Sequence, residues 1–223
     1  MRIKRLTGVV MGATLLCSLC LSSVHAALIE RGNGMIYDST QNITWLQNAN
    51  LAGKKMSWDE SVAWASSLTV GGFTDWRLFN ADPADNNCSS SFNPGGGYSE
   101  QYWRFNCTNN ELGHLFYNEF GLTQSYSVAT LVGGTNANFN LFSNVQASLY
   151  WSGTEYAPNT NFAWAFDNRG GLQGSDRKST NLLYAWAVRD GDVTTVPEPG
   201  AFAMFGVGLL GLVIRRRLVR QRK

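Results

Sequence analysis

Histidine and cysteine are scarce in this sequence, and their scarcity excludes several kinds of active site. The chain has two histidines and four cysteines, of which only His114, Cys88 and Cys107 lie beyond the apolar N-terminal segment. One imidazole and two thiols cannot form a four-ligand zinc site of the usual nitrogen and sulfur type. The sequence also has no Gly-x-Ser-x-Gly motif that would present a nucleophilic serine. We therefore predict no catalytic residue, no metal centre and no bound cofactor from these residues.

Positive charge is missing from the central part of the chain. The whole sequence has a net charge of +2, but residues 27–195 contain 9 of the 18 basic residues and 15 of the 16 acidic ones, a net charge of −6. The remaining basic residues cluster at the two ends. A nucleic-acid-binding domain needs positive charge on its folded surface to displace the counterions of the phosphates. The charge distribution therefore predicts no nucleic-acid partner.

Residues 1–26 have the pattern of a secretory signal peptide. Arg2, Lys4 and Arg5 precede an apolar run, and Val24-His25-Ala26 supplies the short residues expected before a cleavage site. A basic segment, a short apolar segment and a cleavage site in this order are typical of exported proteins. We therefore predict export of the chain.

The C-terminal region has three ordered features. Pro197, Glu198 and Pro199 precede the apolar residues 200–214, and an arginine-rich tail follows to residue 223. This order resembles the PEP-CTERM sorting signal, whose family is cut by an exosortase in bacteria that make exopolysaccharide. The resemblance implies that residues 193–199 form a linker and that residues 200–223 form a sorting helix with a basic tail. The helix would cross the inner membrane transiently at 200–214, before the product reaches the cell surface or extracellular matrix. An ordinary tail anchor is the alternative.

Residues 27–192 are predicted to form one domain with short helices and strands. Capping boxes at Ser57–Glu60 and at Thr108–Glu111 predict two helices, the first of which spans residues 58–68. Alternation of large and small residues predicts strands, which are expected at 162–166, 184–188, 35–37, 43–46 and 150–152. The long polar stretches 80–106 and 123–140 are predicted to be loops.

Several tryptophan-containing motifs follow one another in this domain. They are 34–38 (GMIYD), 43–45 (ITW), 72–78 (GFTDWRL), 150–156 (YWSGTEY) and 184–189 (YAWAVR). Together they resemble the Lcl C-terminal domain family, a domain of unknown function named for collagen-like adhesins. The resemblance implies an irregular α+β fold similar to C-type lectins and formylglycine-generating enzymes, with two short helices and a small antiparallel sheet. One departure is that Phe79-Asn80 opens a long loop where the family pattern enters a helix directly, so ligand contacts on that loop do not transfer.

The long loop contains two kinds of candidate site. Cys88 and Cys107 nearly bracket it, and two cysteines in an exported chain predict a disulfide. A redox role like that of formylglycine-generating enzymes is the alternative for this pair. Oxygen ligands for Ca²⁺ are the second candidate, and the loop offers them at Asp82, Asp85, Asn86 and Asn87.

Aromatic and basic residues are the candidates for glycan binding. Flat aromatic rings can stack on sugars, and the candidates are Trp103, Trp151 and Tyr156. The basic residues Arg169, Arg177 and Lys178 flank residues 172–174. A hairpin there is expected to gather these residues on one rim that binds an acidic polysaccharide.

The predicted function is that of a secreted, noncatalytic binding or matrix protein associated with exopolysaccharide or another surface glycan. An enzyme on a lectin-like or formylglycine-generating-like scaffold is the alternative. A purely structural role in the matrix stays open as well.

Overall fold

The described strands form two β-sheets, one of five strands and one of six. The computed structural model describes residues 28–92, without the side chains of 90–92, and residues 103–193. The strands within these ranges are, in chain order, β1 (Leu28–Gly32), β2 (Met35–Asp38), β3 (Ile43–Leu46), β4 (Arg77–Leu78), β5 (Ser89–Phe92), β6 (Trp103–Phe105), β7 (Leu149–Glu155), β8 (Phe162–Asp167), β9 (Leu172–Arg177), β10 (Tyr184–Ala185) and β11 (Ala187–Asp190). The predicted signal peptide, sorting motif and apolar tail lie outside the described residues.

The helical segments are short. They are α1 (Trp58–Ser66), α2 (Glu111–His114), a π-helix (Leu115–Glu119) and the two 3₁₀ turns Val128–Leu131 and Phe139–Leu141. The α+β class is confirmed, because two α-helices accompany sheets that are mostly antiparallel. The described ranges contain two sheets, which differs from the small single sheet that the sequence predicted.

The chain passes from the six-stranded sheet to the five-stranded sheet at Trp186. The first sheet has the strand order β1-β2-β3-β11-β4, and the second has the order β10-β7-β8-β9-β6-β5. β10 runs parallel to β7, whereas β11 runs antiparallel to β3 and β4. A single strand over residues 184–188 was therefore the wrong prediction. Trp186 lies at the crossing, is fully buried, and donates its indole N–H to the Leu46 carbonyl at 2.7 Å.

The first helix begins where the sequence predicts. Ser57 and Glu60 form the capping box, in which the Ser57 side chain accepts from the Glu60 N–H and the Glu60 carboxylate accepts from the Ser57 N–H. The helix buries Ser61 and Ala65, whereas the apolar Val62 is exposed. With only nine residues, the helix buries a narrow strip of small side chains.

The second helix has a different cap from the predicted one. Asn110, and not Thr108, is the N-cap, and its side-chain oxygen accepts from the N–H groups of Leu112 and Gly113. The predicted capping box fails because the Glu111 carboxylate pairs with Arg77 at 2.8 Å, on β4. This ion pair fixes the start of α2 against the first sheet.

The long polar stretches contain more structure than the sequence predicted. Within residues 80–106, β5 and β6 form a hairpin, and β6 joins the second sheet by pairing Arg104 with Gln173. A disulfide connects Cys88 and Cys107 on either side of this hairpin. Within residues 123–140, the 3₁₀ turns bury Val128 and Phe139. β5 is mostly serine and gives no strand signal, and the short strand β6 joins the sheet through its pairing with β9.

Aromatic residues dominate the core, and most buried indoles hydrogen-bond to a carbonyl. Trp45 and Trp186 pack edge to face with ring centroids 5.0 Å apart. Indole N–H groups donate to backbone carbonyls at four positions, which are Trp58 to Ser152, Trp76 to Phe73, Trp151 to Met56 and Trp186 to Leu46. Three of these four bonds connect separate elements of the chain.

No helix within the described ranges is long and apolar enough to cross a membrane. The predicted membrane-crossing segment at 200–214 lies outside those ranges.

Buried tyrosines predict a loss of stability at alkaline pH. Burial raises the pKa of Tyr150, whose hydroxyl accepts from the Gln146 N–H, and burial raises the pKa of Tyr117 as well. The folded state thus favours the protonated phenol, and the stability present below the ordinary pKa of 10.0 is lost as the pH rises above it. We expect Tyr150→Phe to flatten this decline above pH 10, measured by urea unfolding.

The same change should lower stability near neutral pH by about 1 kcal/mol, because the Gln146 N–H loses its acceptor. Tyr126→Phe is the matched control, since Tyr126 is 60% exposed and should leave the pH profile unchanged. An unaltered alkaline decline in Tyr150→Phe would contradict the assignment.

Candidate functional site

Trp151 is not available to a ligand. Its side chain is fully buried in β7, an interior strand of the second sheet, and its indole N–H donates to the Met56 carbonyl at 3.0 Å. The helix α1 packs against the same strand. The prediction of glycan stacking for Trp151 is therefore wrong, because the ring serves to hold this strand against the segment that precedes α1.

The predicted basic rim does not form. Arg169 lies in the turn between β8 and β9, whereas Arg177 lies at the far end of β9, opposite Phe162. At about 3.3 Å per residue, the length of β9 separates the two ends by about 17 Å. Asp167 binds the Arg169 guanidinium, and Glu155 forms an ion pair with Lys178. The hairpin thus spreads the three cations along its length, and two of them are neutralised by neighbouring carboxylates.

Trp103 packs on the sheet with part of its indole. The residue is half-buried, and a Cβ built at Gly174 would lie 2.2 Å from the Trp103 ring. The absence of a side chain at Gly174 therefore allows the indole to lie directly on β9. The ligand role of Trp103 stays a prediction.

Tyr156 belongs to an aromatic group at the N-terminal end of β8. We name this group, which consists of Tyr156, Phe162, Trp164, Ser175 and Arg177, the Tyr156 cluster. The half-buried Tyr156 ring meets the Trp164 ring edge to face, with centroids 5.3 Å apart, and lies 6.5 Å from Phe162. The Arg177 guanidinium lies 5.3 Å from the centre of the Phe162 ring.

The sequence of two neighbouring strands creates this cluster. Side chains two residues apart share one face of a strand, so Phe162 and Trp164 project from the same face of β8. The antiparallel register places Arg177 opposite Phe162 and Ser175 opposite Trp164. A short serine thus faces a large indole, and the polar atoms of both side chains are buried.

Two buried polar atoms of the cluster have no hydrogen-bond partner among the described residues. They are the indole nitrogen of Trp164, which is 8% exposed, and the hydroxyl of Ser175, which is 1% exposed. Directly opposed side chains on antiparallel strands have Cβ atoms about 5 Å apart. An unpaired buried donor or acceptor costs about 1–3 kcal/mol. Both atoms are closed off from solvent, so a ligand would reach them only after neighbouring side chains move.

An ion pair with no net charge flanks the Tyr156 cluster. The Lys178 ammonium lies 4.1 Å from the centre of the Trp58 ring and pairs with Glu155. The Trp58 N–H donates to the Ser152 carbonyl, which fixes the indole against β7. This arrangement presents an aromatic surface with compensated charge, which suits an uncharged polar ligand better than a polyanion.

The Ca²⁺ candidates use several of their oxygens inside the loop. The Asp85 carboxylate accepts from the N–H groups of Asn87 and Asn109, both at 2.8 Å, and Asp82 accepts from the Ala84 N–H. Cys88 and Cys107 are bonded to each other and offer no thiolate. Calcium binding by Asp82, Asp85, Asn86 and Asn87 stays a prediction.

Sequence reasoning missed Trp164, Phe162 and Ser175 as site residues. The strand at 162–166 was predicted, but none of its residues was named as a candidate. The turn cluster at 167–171 contained the missing signal, because it closes a hairpin whose register pairs Trp164 with Ser175. The Trp164 indole nitrogen and the Ser175 hydroxyl lack hydrogen-bond partners because of how the side chains are placed, which no sequence pattern indicates.

Comparison with known proteins yields two family matches. A family model described as the Lcl C-terminal domain matches residues 34–189, and a model described as the PEP-CTERM protein-sorting motif matches residues 195–217. Both resemblances noted from the sequence are confirmed. No curated protein and no solved structure matches the chain. The first match contains the whole Tyr156 cluster.

Two buried serines provide a test of the unpaired hydroxyl. Ser152 and Ser175 are both fully enclosed, but only the Ser152 hydroxyl has a partner, the Trp164 carbonyl at 2.8 Å. We expect Ser152→Ala to lower the free energy of unfolding by about 1 kcal/mol and Ser175→Ala to leave it unchanged or raise it. Denaturant unfolding measures both. An equal loss in the two variants would show that the Ser175 hydroxyl already has a structural partner.

Proposed function

The chain belongs to the Lcl C-terminal domain family, and on that premise we propose that its folded domain is a noncatalytic module that binds exopolysaccharide or another surface glycan. The Tyr156 cluster is the proposed binding site. The observation that carries the proposal is the pair of unpaired polar atoms, on Trp164 and Ser175, beside the partly exposed Tyr156 ring.

The sorting motif indicates where the protein is delivered. A PEP-CTERM motif at residues 195–217 marks the chain for exosortase processing and for export to the surface. A protein delivered there meets the carbohydrate polymers that surround the cell. This location supports a glycan as the ligand and places the folded domain outside the cytoplasm.

The chemistry of the cluster matches that of a sugar. A pyranose ring offers an apolar C–H face and several hydroxyl groups, which are both donors and acceptors. The amphipathic Tyr156 ring can pack on the apolar face, while the Trp164 N–H and the Ser175 hydroxyl receive one hydroxyl group. Sites of this type combine aromatic walls with a few polar groups that fix the orientation of the ligand.

Electrostatics favour a neutral or weakly acidic polymer. Residues 27–195 have a net charge of −6, and the cation within the cluster, Arg177, packs on Phe162. A strongly acidic polysaccharide would need a basic rim. Arg169, Arg177 and Lys178 are instead spread along the hairpin, and Arg169 and Lys178 are paired with carboxylates. We therefore propose a neutral ligand, with Arg177 contributing hydrogen bonds at the edge.

A matched pair of tyrosine variants tests the proposal. Tyr156→Ala removes the stacking surface and should weaken binding about tenfold, a change of about 1.4 kcal/mol. Tyr126→Ala is the control, because Tyr126 is 60% exposed and lies outside the cluster. The measurement is binding of the exported protein to a glycan array and to exopolysaccharide from the producing bacterium.

Equal binding by wild type, Tyr156→Ala and Tyr126→Ala would place the ligand elsewhere. Absence of binding to every glycan by the wild-type protein would favour a structural role in the matrix. Both variants should keep the wild-type melting temperature within a few degrees, since neither ring is fully buried.

A further inference from the structure

Three potential metal ligands converge at the C-terminal end of α2. Asp38 ends β2, His114 ends α2 and Glu119 ends the π-helix. The His114 Nε2 atom lies 3.5 Å from Glu119 Oε1 and 4.0 Å from Asp38 Oδ2. The three ligand atoms all lie within 4.8 Å of one another. We name these residues the His114 triad.

The π-helix is what brings His114 and Glu119 together. In a regular α-helix, residues five apart differ by about 140° around the axis and face different sides. Here the Phe120 N–H bonds to the Leu115 carbonyl at 2.9 Å, which widens the turn. The wider turn places His114 and Glu119 on one side. Single π turns of this kind are frequent at functional sites.

The hydrogen bonds around the triad leave one nitrogen unused. The Nδ1 atom of His114 accepts from the Asn118 side-chain nitrogen at 2.8 Å. The Nε2 atom is buried and has no hydrogen-bond partner among the described residues. Metal-binding histidines donate the N–H of one ring nitrogen to an acceptor and face the ion with the other nitrogen. Ion binding at Nε2 therefore requires the Asn118 amide to turn over and present its oxygen to Nδ1.

The two carboxylates are held in place by neutral groups. Asp38 Oδ1 accepts from the N–H groups of Thr40 and Gln41, and Asp38 Oδ2 accepts from the Gln41 side-chain amide. Glu119 Oε2 accepts from the Asn138 amide at 3.0 Å, which leaves Oε1 directed toward the imidazole. These contacts orient both oxygens before any ion binds.

The triad places two acidic groups in a buried setting with little positive charge. The Asp38 side chain is 1% exposed and the Glu119 side chain is 7% exposed. Among the described residues, His114 is the basic side chain that lies within ion-pair distance of either one. The nearby Arg77 is paired with Glu111 and Asp190. Buried carboxylates are stabilised by a partner of opposite charge or by a metal ion.

The geometry points to a divalent transition-metal site formed by Asp38, His114 and Glu119, with Zn²⁺ as the best-fitting ion. Zinc binds imidazole and carboxylate ligands at about 2.0–2.2 Å, so tetrahedral ligand atoms lie about 3.4 Å apart. The 3.5 Å separation of His114 and Glu119 fits this value. Asp38, whose Oδ2 atom lies 4.0 Å from His114 Nε2, has to move closer, and the fourth position is left for water or a ligand.

Zinc titration of the full chain tests the site. The protein is purified in detergent, stripped with a chelator and titrated with Zn²⁺ by calorimetry, and Co²⁺ serves as the spectroscopic probe. We expect one ion per chain and a rise in melting temperature upon binding. His114→Ala and the isosteric Glu119→Gln should each weaken Zn²⁺ binding at least tenfold, roughly the loss seen when a metal site is perturbed.

Two matched controls use residues outside the triad. His25→Ala removes the other histidine of the sequence, and Glu155→Gln repeats the Glu-to-Gln change at an exposed carboxylate. Both should bind Zn²⁺ like the wild type. Glu119→Gln preserves the side-chain shape, so it distinguishes loss of a ligand from loss of the fold. Failure of the wild type to bind Zn²⁺, or equal binding by His114→Ala, would overturn the proposal.

Discussion

A buried indole N–H needs an acceptor, and in this protein that need joins separate parts of the chain. Trp186 donates to Leu46 and thereby secures the point where the chain leaves one sheet for the other. Trp151 donates to Met56 and holds β7 against the segment before α1. The hydrophobic contacts of these rings supply most of the stabilisation, but the single polar atom on each ring restricts how the ring can be placed.

The candidate sites are places where buried polar atoms lack a hydrogen-bond partner among the described residues. Trp164 and Ser175 lack partners beside Tyr156, and His114 Nε2 lacks a partner between two carboxylates. Trp45 also has a free indole nitrogen, but its ring is fully buried against Trp186. Buried unsatisfied groups are rare in folded proteins because each one costs stability. In the Tyr156 cluster and the His114 triad, the unpaired atoms lie beside groups that suit a sugar and a metal ion respectively. This is the reason for assigning ligands to these two locations.

Local patterns predicted the parts of the fold that depend on local interactions. The Ser57 capping box predicted the start of α1, and apolar alternation predicted β8. Features set by distant partners were not predictable. The sheet exchange at Trp186 depends on Leu46, and β6 is ordered by β9. The second helix is an intermediate case, because its apolar residues were recognised while the competition between Arg77 and a capping role for Glu111 was not.

The central claim is that glycan binding occurs where the aromatic core leaves an indole unpaired. The most direct test is an NMR titration of ¹⁵N-labelled full-length protein with exopolysaccharide fragments, in which each of the eight tryptophans gives one indole N–H signal. The account predicts that the Trp164 signal shifts, while the hydrogen-bonded Trp151 and Trp186 signals stay in place. A static Trp164 signal together with a shift at Trp103 would contradict it.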